Sequence, residues 1–218
     1  MMKQYGLLGF FYTSYLCFIY LGFEELAFYM KPFLIPLLIL LVVSKRAIGG
    51  NKMLLLAILF STIGDVLLMF TGQLFFILGL LSFLIAHLLY IVIFKQLLEP
   101  LKMSFVTFGG AVFVLVYYVG LVSLLWPYLH EMKLPVLTYA LVISIMAWLS
   151  LHFYNGRSGF KWWIIFGAIM FVISDSLLSI QLFYGDFDDS HFYVMLSYLL
   201  AQFSLVYGIL NMQRFESK

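Results

Sequence analysis

Asp65 and Asp175 are the residues whose chemistry fits least with their surroundings. The first stands in Phe60–Phe70, FSTIGDVLLMF, and the second in Phe171–Ile180, FVISDSLLSI. Acids inside such apolar stretches are expensive, and they generally face a bundle interior or a wet cavity and mark function. Two carboxyls held close in a poorly solvated place cannot both ionise cheaply. Sharing one proton, they form a general acid and a general base at once. Acetals, glycosides and enol ethers need that combination, because they break through oxocarbenium-like states after proton donation. An aspartate pair can also cut peptide bonds, and proton-coupled transport uses the same groups. Plain interhelical hydrogen bonding is the bland alternative, and two acids in matching settings argue against it.

Other polar residues gather around the same positions. Ser61 and Thr62 lie one turn before Asp65, while Ser174 and Ser176 flank Asp175 and Ser179 follows one turn on. His87 and Tyr90 are one turn apart with Ser82 above them, and His87 is either a satisfied interhelical group or a catalytic or orienting one. Lys31 either snorkels to the interface or pairs with a phosphate headgroup. Tyr139, Tyr198 and Tyr207 serve an interfacial belt or line a pocket. Gln202 is a substrate-side candidate whose plainer use is structural. No histidine pair stands at i, i+4, and Cys17 is the only cysteine, so a metal site and an intrachain disulfide are not expected. No cofactor motif is present.

The elements that must position these groups are dictated by composition. Of 218 residues, 65% are hydrophobic and 10% charged, too little polar surface to coat a globule in water. The apolar residues fall into blocks near the length that crosses a bilayer, about 20 residues each. The expectation is an all-α polytopic membrane protein, one integral domain over 1–218, with eight spans. These are Tyr5–Phe23, Ala27–Val43, Met53–Thr71, Leu74–Phe94, Ser104–Leu125, Leu134–Phe153, Phe160–Phe183 and Phe192–Leu210. The first is followed by Glu24 and Glu25 rather than a small-residue cleavage site, which reads as a retained helix. Pro32 is benign near a helix start, whereas Pro36 a turn later removes a hydrogen bond and bends the helix. Both acids are placed about 10–15 Å from the outer helix ends, within uninterrupted helices.

Charge sets the orientation. With the N-terminus in the cytoplasm, ten of the twelve basic residues fall on that side: Lys3, Lys45, Arg46, Lys52, Lys95, Lys102, Arg157, Lys161, Arg214 and Lys218. Only Lys31 and Lys133 fall on the other, with Glu24, Glu25, Glu131, Asp186, Asp188 and Asp189. This positive-inside bias puts both termini in the cytoplasm of a cell (inner) membrane. The net charge of +2 says nothing about nucleic acid, and no nucleic-acid partner is expected.

IGDVLLM (Ile63–Met69) matches ISDSLLS (Ile173–Ser179), and LSFLIAH (Leu81–His87) matches LSYLLAQ (Leu196–Gln202) after a shift of five residues. MKP at Met30 resembles MKLP at Met132. The expectation is two four-helix halves, about 1–100 and 101–218, sharing one orientation about an axis along the membrane normal. Asp65 and Asp175 then become equivalent positions facing each other near that axis. The acidic loop Tyr184–Phe192, YGDFDDSHF, absorbs the shift and is either a lid or a solvated connection.

On KP at Lys31–Pro32, GDVLLM at Gly64–Met69, FLIAHLLY at Phe83–Tyr90, TYALVISIM at Thr138–Met146, SDSLL at Ser174–Leu178 and YLLAQ at Tyr198–Gln202, the sequence resembles the YhhN-like lysoplasmalogenases. These are multipass hydrolases of the lysoplasmalogen vinyl ether bond. The resemblance implies that Asp65 and Asp175 are the essential acids and that a lysophospholipid in the bilayer is the substrate. One aspartate would protonate the β-carbon; the other carboxylate would stabilise the oxocarbenium ion and activate water. The hemiacetal then collapses to a fatty aldehyde and a glycerophospho-alcohol. An intramembrane aspartyl protease is disfavoured, because Thr62 replaces the first glycine of its Gly-x-Gly-Asp motif and its Pro-Ala-Leu signature is absent. A proton-coupled transporter using Asp65 and Asp175 is the non-enzyme alternative.

Overall fold

The computed structural model describes residues 2–44, 51–98 and 103–216. Lys45, Arg46, Lys102 and Lys218 lie outside the described residues. Among those described the chain is helical with no strand. In chain order the helices are α1 (Met2–Tyr20), α2 (Glu24–Leu34), α3 (Ile39–Ser44), α4 (Lys52–Leu67), α5 (Gln73–Leu97), α6 (Phe105–Leu125), α7 (Lys133–Ser150), α8 (Lys161–Ser179) and α9 (Ser190–Glu216).

Among the described residues six stretches are long and apolar enough to cross a membrane: Glu24–Val43, Gln73–Leu97, Phe105–Leu125, His130–Asn155, Lys161–Tyr184 and Ser190–Arg214. The chain is a multi-pass membrane protein. α1, with 19 residues, and α4, with 16, are not among the six. At 1.5 Å per residue α4 is about 24 Å long, short of a bilayer core of about 30 Å.

Local sequence explains where the helices stop. α1 ends at Gly22, whose positive φ of 77° suits glycine. Phe23 N–H then donates to the Phe18 carbonyl at 2.8 Å, and the two rings meet edge to face, the pairing that seals a Schellman turn. Pro36 does interrupt its helix: α2 gives way to a 3-10 turn, Pro36–Leu38, before α3 resumes. α6 opens on a capping box between Ser104 and Thr107.

α9 is the centre of the bundle, with 72% of its apolar stretch buried, against 6% for α6. On α6, Phe108, Phe113, Leu115 and Val116 face outward, as a lipid-contacting helix requires. α8 and α9 pack most extensively. A Cβ at Gly167 would lie 2.9 Å from the Leu205 amide nitrogen, and one at Gly208 3.0 Å from that of Ile164. These glycines let two backbones approach as closely as membrane helices do. α4 packs on α5 in the same way, with Gly64 lying under the Phe83 ring.

Candidate active site

The turns α4–α5, α6–α7 and α8–α9 meet at one end of the bundle around a cavity of about 840 Å³. That volume is within the range of small-molecule sites, about 300–1,000 Å³. Apolar side chains such as Leu80, Phe83, Val136 and Met195 make its walls, and Lys31, Gln73, Glu131 and His191 are among its polar lining. Both aspartates line it: Asp65 from the last turn of α4, Asp175 from α8. The two carboxyls are within electrostatic range of each other, and the Lys31 ammonium is within range of Asp65.

Each aspartate is held by a tyrosine from another helix. Tyr198 Oη on α9 donates to Asp65 Oδ2 at 2.7 Å, and Tyr139 Oη on α7 donates to Asp175 Oδ2 at 2.5 Å. Behind Tyr198 the hydrogen bonds continue. Gln202 Nε2 donates to Ser61 Oγ at 2.9 Å and to Tyr198 Oη at 3.4 Å, while Tyr90 Oη donates to Gln202 Oε1 at 2.8 Å. Three helices, α4, α5 and α9, thus fix the Asp65 side of the site through one buried chain. On the other side His87 Nε2 lies 4.0 Å from Asp175 Oδ2. The His87 ring is fully buried, edge to face with Phe171 at 4.5 Å and Tyr139 at 5.4 Å. An acid pair with separately oriented members is suited to proton donation and cation stabilisation in a space large enough for a lipid fragment.

Of the eight candidate residues, Lys31, Asp65, Tyr139, Asp175 and Tyr198 line the cavity. His87, Tyr90 and Gln202 do not; they form the buried layer behind it. In that layer Gln202 bonds to Tyr90, Ser61 and Tyr198. His191, Gln73 and Glu131 were not singled out. They reach the cavity from the first turns of α5 and α9 and from the α6–α7 connection, whose proximity has no signature in local sequence; Gln73 Nε2 even donates weakly to Glu131 Oε2, 3.5 Å away and 58 residues on.

Two expectations about the acids are corrected. α4 ends only two residues after Asp65, about 3 Å rather than 10–15 Å, whereas the helical span that carries Asp175 runs on to Tyr184, nine residues and about 13 Å beyond it. Nor does each helix continue undisturbed. Leu68–Phe70 tighten into a turn that leads to Gly72 at φ 118°, and α8 passes into a π-helical turn, Ile180–Tyr184, closed by Gly185 at φ 152°. Glycines supply both left-handed positions, and π-turns often accompany functional sites.

With this geometry in view, comparison with known proteins is informative. The YhhN family profile matches residues 26–209, so the chain belongs to the YhhN family. It is 29% identical over 165 residues to the human protein named lysoplasmalogenase TMEM86B, covering 75% of this chain and 66% of that one. The mouse protein of the same name is 31% identical over 167 residues, covering 75% and 66%. The rat protein is 32% identical over 166 residues, covering 75% and 64%. The chain thus spans just under two thirds of these relatives' length. No solved structure matches it.

Proposed function

We propose that this chain is a lysoplasmalogenase: it adds water across the vinyl ether bond of a 1-alkenyl-glycerophosphoethanolamine or -choline, releasing a fatty aldehyde and a glycerophospho-alcohol. The observation that carries this is the placing of Asp65 and Asp175 on one apolar-walled cavity with Lys31. The name borne by the human, mouse and rat relatives points to the same chemistry.

One aspartate protonates the β-carbon of the vinyl ether. The resulting oxocarbenium ion is stabilised by the other carboxylate, and water attacks the adjacent carbon to give a hemiacetal that collapses. Tyr198 and Tyr139 hold the two carboxyls in separate orientations. Lys31 pairs with the substrate phosphate. The alkenyl chain lies along the apolar wall, having entered between helices.

In the bilayer, α1 and α4 complete eight spans, in two same-orientation halves with both termini in the cytoplasm and the cavity opening on the far side. Support for the halves comes from the α4–α5 and α8–α9 hairpins, the two most extensively packed helix pairs, each opening with an aspartate-bearing helix. Support for the orientation comes from the basic residues, ten of twelve by the sequence count.

Proton-coupled transport through the same pair is the second reading, favoured by the broken outer ends of α4 and α8. One measurement separates the two: aldehyde release from lysoplasmalogen by purified protein in detergent, for wild type, Asp65→Asn and Asp175→Asn. Hydrolysis predicts release by wild type and none by either variant. No release from folded wild type would favour transport, and retained activity in either variant would overturn the acid-pair mechanism.

A further inference from the structure

Asp175 faces two compartments. Besides the large cavity, Asp175 lines a crevice of about 40 Å³ between α6, α7 and α8, shared with Tyr117, Tyr139, Ser144, Ser176 and Ser179. A water needs about 10–15 Å³ of such space and two to four polar partners. The crevice therefore admits a few waters and nothing larger, and the hydroxyls of Tyr117, Tyr139, Ser144, Ser176 and Ser179 are its polar lining. Its hydroxyls are anchored. Ser176 Oγ contacts Tyr117 Oη and donates to the Val172 carbonyl at 2.5 Å, and Ser179 Oγ donates to the Ser176 carbonyl at 2.8 Å. Val136, Tyr139, Asp175 and Ser179 line both compartments, so the partition between them is one side chain thick.

This matters because a lipid chain filling the large cavity displaces water from it, while the oxocarbenium ion still needs a nucleophile. We infer that the crevice behind Asp175 is the store of hydrolytic water, and that Asp175 is the carboxylate that activates it. The inference rests on the vinyl ether reading above. It divides the labour of the pair. Asp65 gives its proton to the β-carbon. Water's oxygen then bonds to the cationic carbon, and its proton passes to Asp175. As the hemiacetal collapses, Asp65 takes the proton of the new hydroxyl, the C–O bond to glycerol breaks, and Asp175 protonates the leaving oxygen. Each acid ends as it began, and the sum is vinyl ether plus water to aldehyde plus alcohol.

The test fills the crevice without touching the large cavity. Ser144→Val places a branched side chain in it from α7, and Val122→Phe does so from α6, at a position only half buried. For each variant one measures kcat, the solvent deuterium isotope effect on kcat, and binding of the saturated alkyl ether analogue of the substrate. The analogue reports an intact fold and cavity, so a variant that fails to fold is set aside and the other decides. The expected result is a fall in kcat of about tenfold or more, with analogue affinity within about twofold of wild type and a smaller isotope effect, because water attack replaces carbon protonation as the slow step. An unchanged kcat, or a lowered kcat with an unchanged isotope effect, overturns the inference. Absence of aldehyde from wild type overturns the vinyl ether reading instead, so the two failures are distinct.

Discussion

Removing one oxygen, in Tyr198→Phe, isolates how the buried chain acts on Asp65. That hydroxyl donates to Asp65 Oδ2 at 2.7 Å and accepts from Gln202 Nε2 at 3.4 Å. In the proposed mechanism Asp65 becomes charged as it gives up its proton, and a hydrogen bond to a charged group is worth about 1.5–3 kcal/mol. At about 1.4 kcal/mol per tenfold, its loss lowers kcat roughly 10- to 150-fold if the carboxyl's orientation matters to the transition state. The fold survives, because Gln202 keeps Ser61 as acceptor and Tyr90 as donor, and the neutral bond lost costs about 1 kcal/mol. The ring is retained, so its edge-to-face contacts with Phe83 and Phe171 persist and the apolar wall is unchanged. KM should therefore stay within about twofold while kcat falls. Aldehyde release measured against lysoplasmalogen concentration separates the two constants. A kcat within about twofold of wild type, or a loss carried by KM alone, would refute the orienting role of the chain.

Other perturbations probe different parts of the structure. Lys31→Met keeps the apolar stem and removes the ammonium, so KM should rise roughly 10- to 100-fold with kcat little changed; a substrate analogue without phosphate should show no such difference. His87→Phe preserves the packing against Phe171 and Tyr139 but removes the nitrogen 4.0 Å from Asp175, and kcat should fall with melting temperature nearly unchanged. Gly167→Val drives side-chain atoms into the Leu205 amide and Ala201 carbonyl of α9, and thermal unfolding in detergent should show a loss of about 1–3 kcal/mol before activity is considered.

How much of this was legible from sequence follows from what each residue answers to. Asp65 and Asp175 stood out because transfer free energy is a property of the residue and its apolar neighbours, both visible in the string. Helix positions were legible for the same reason, and the break at Pro36 follows from a missing N–H. The end of α4 was not. Nothing in VLLMF forbids helix, and the chain turns there because Gly72 and the packing of Gly79 against Leu68 bring α5 back early. Tertiary packing decided that boundary, and with it the depth of Asp65.

The tyrosines show the same division. The sequence offered Tyr90, Tyr139 and Tyr198 as candidates without separating those that touch a carboxyl from those that stand behind. Rotation of each helix about its axis decides this, and a helix apolar all round carries little information on its rotation. α9 is such a helix, yet its Tyr198 and Gln202, one turn apart on a single face, grip Asp65 and Ser61 of α4 together. A relation between α4 and α9 that spans 133 residues between its partners has no local signal. It is also the relation that gives Asp65 and Asp175 different surroundings: a ladder of hydrogen bonds behind one, a histidine and a water-sized crevice behind the other. An internal repeat predicts equivalent acids; in the mechanism proposed above, their unlike neighbours assign the two proton transfers to different members of the pair.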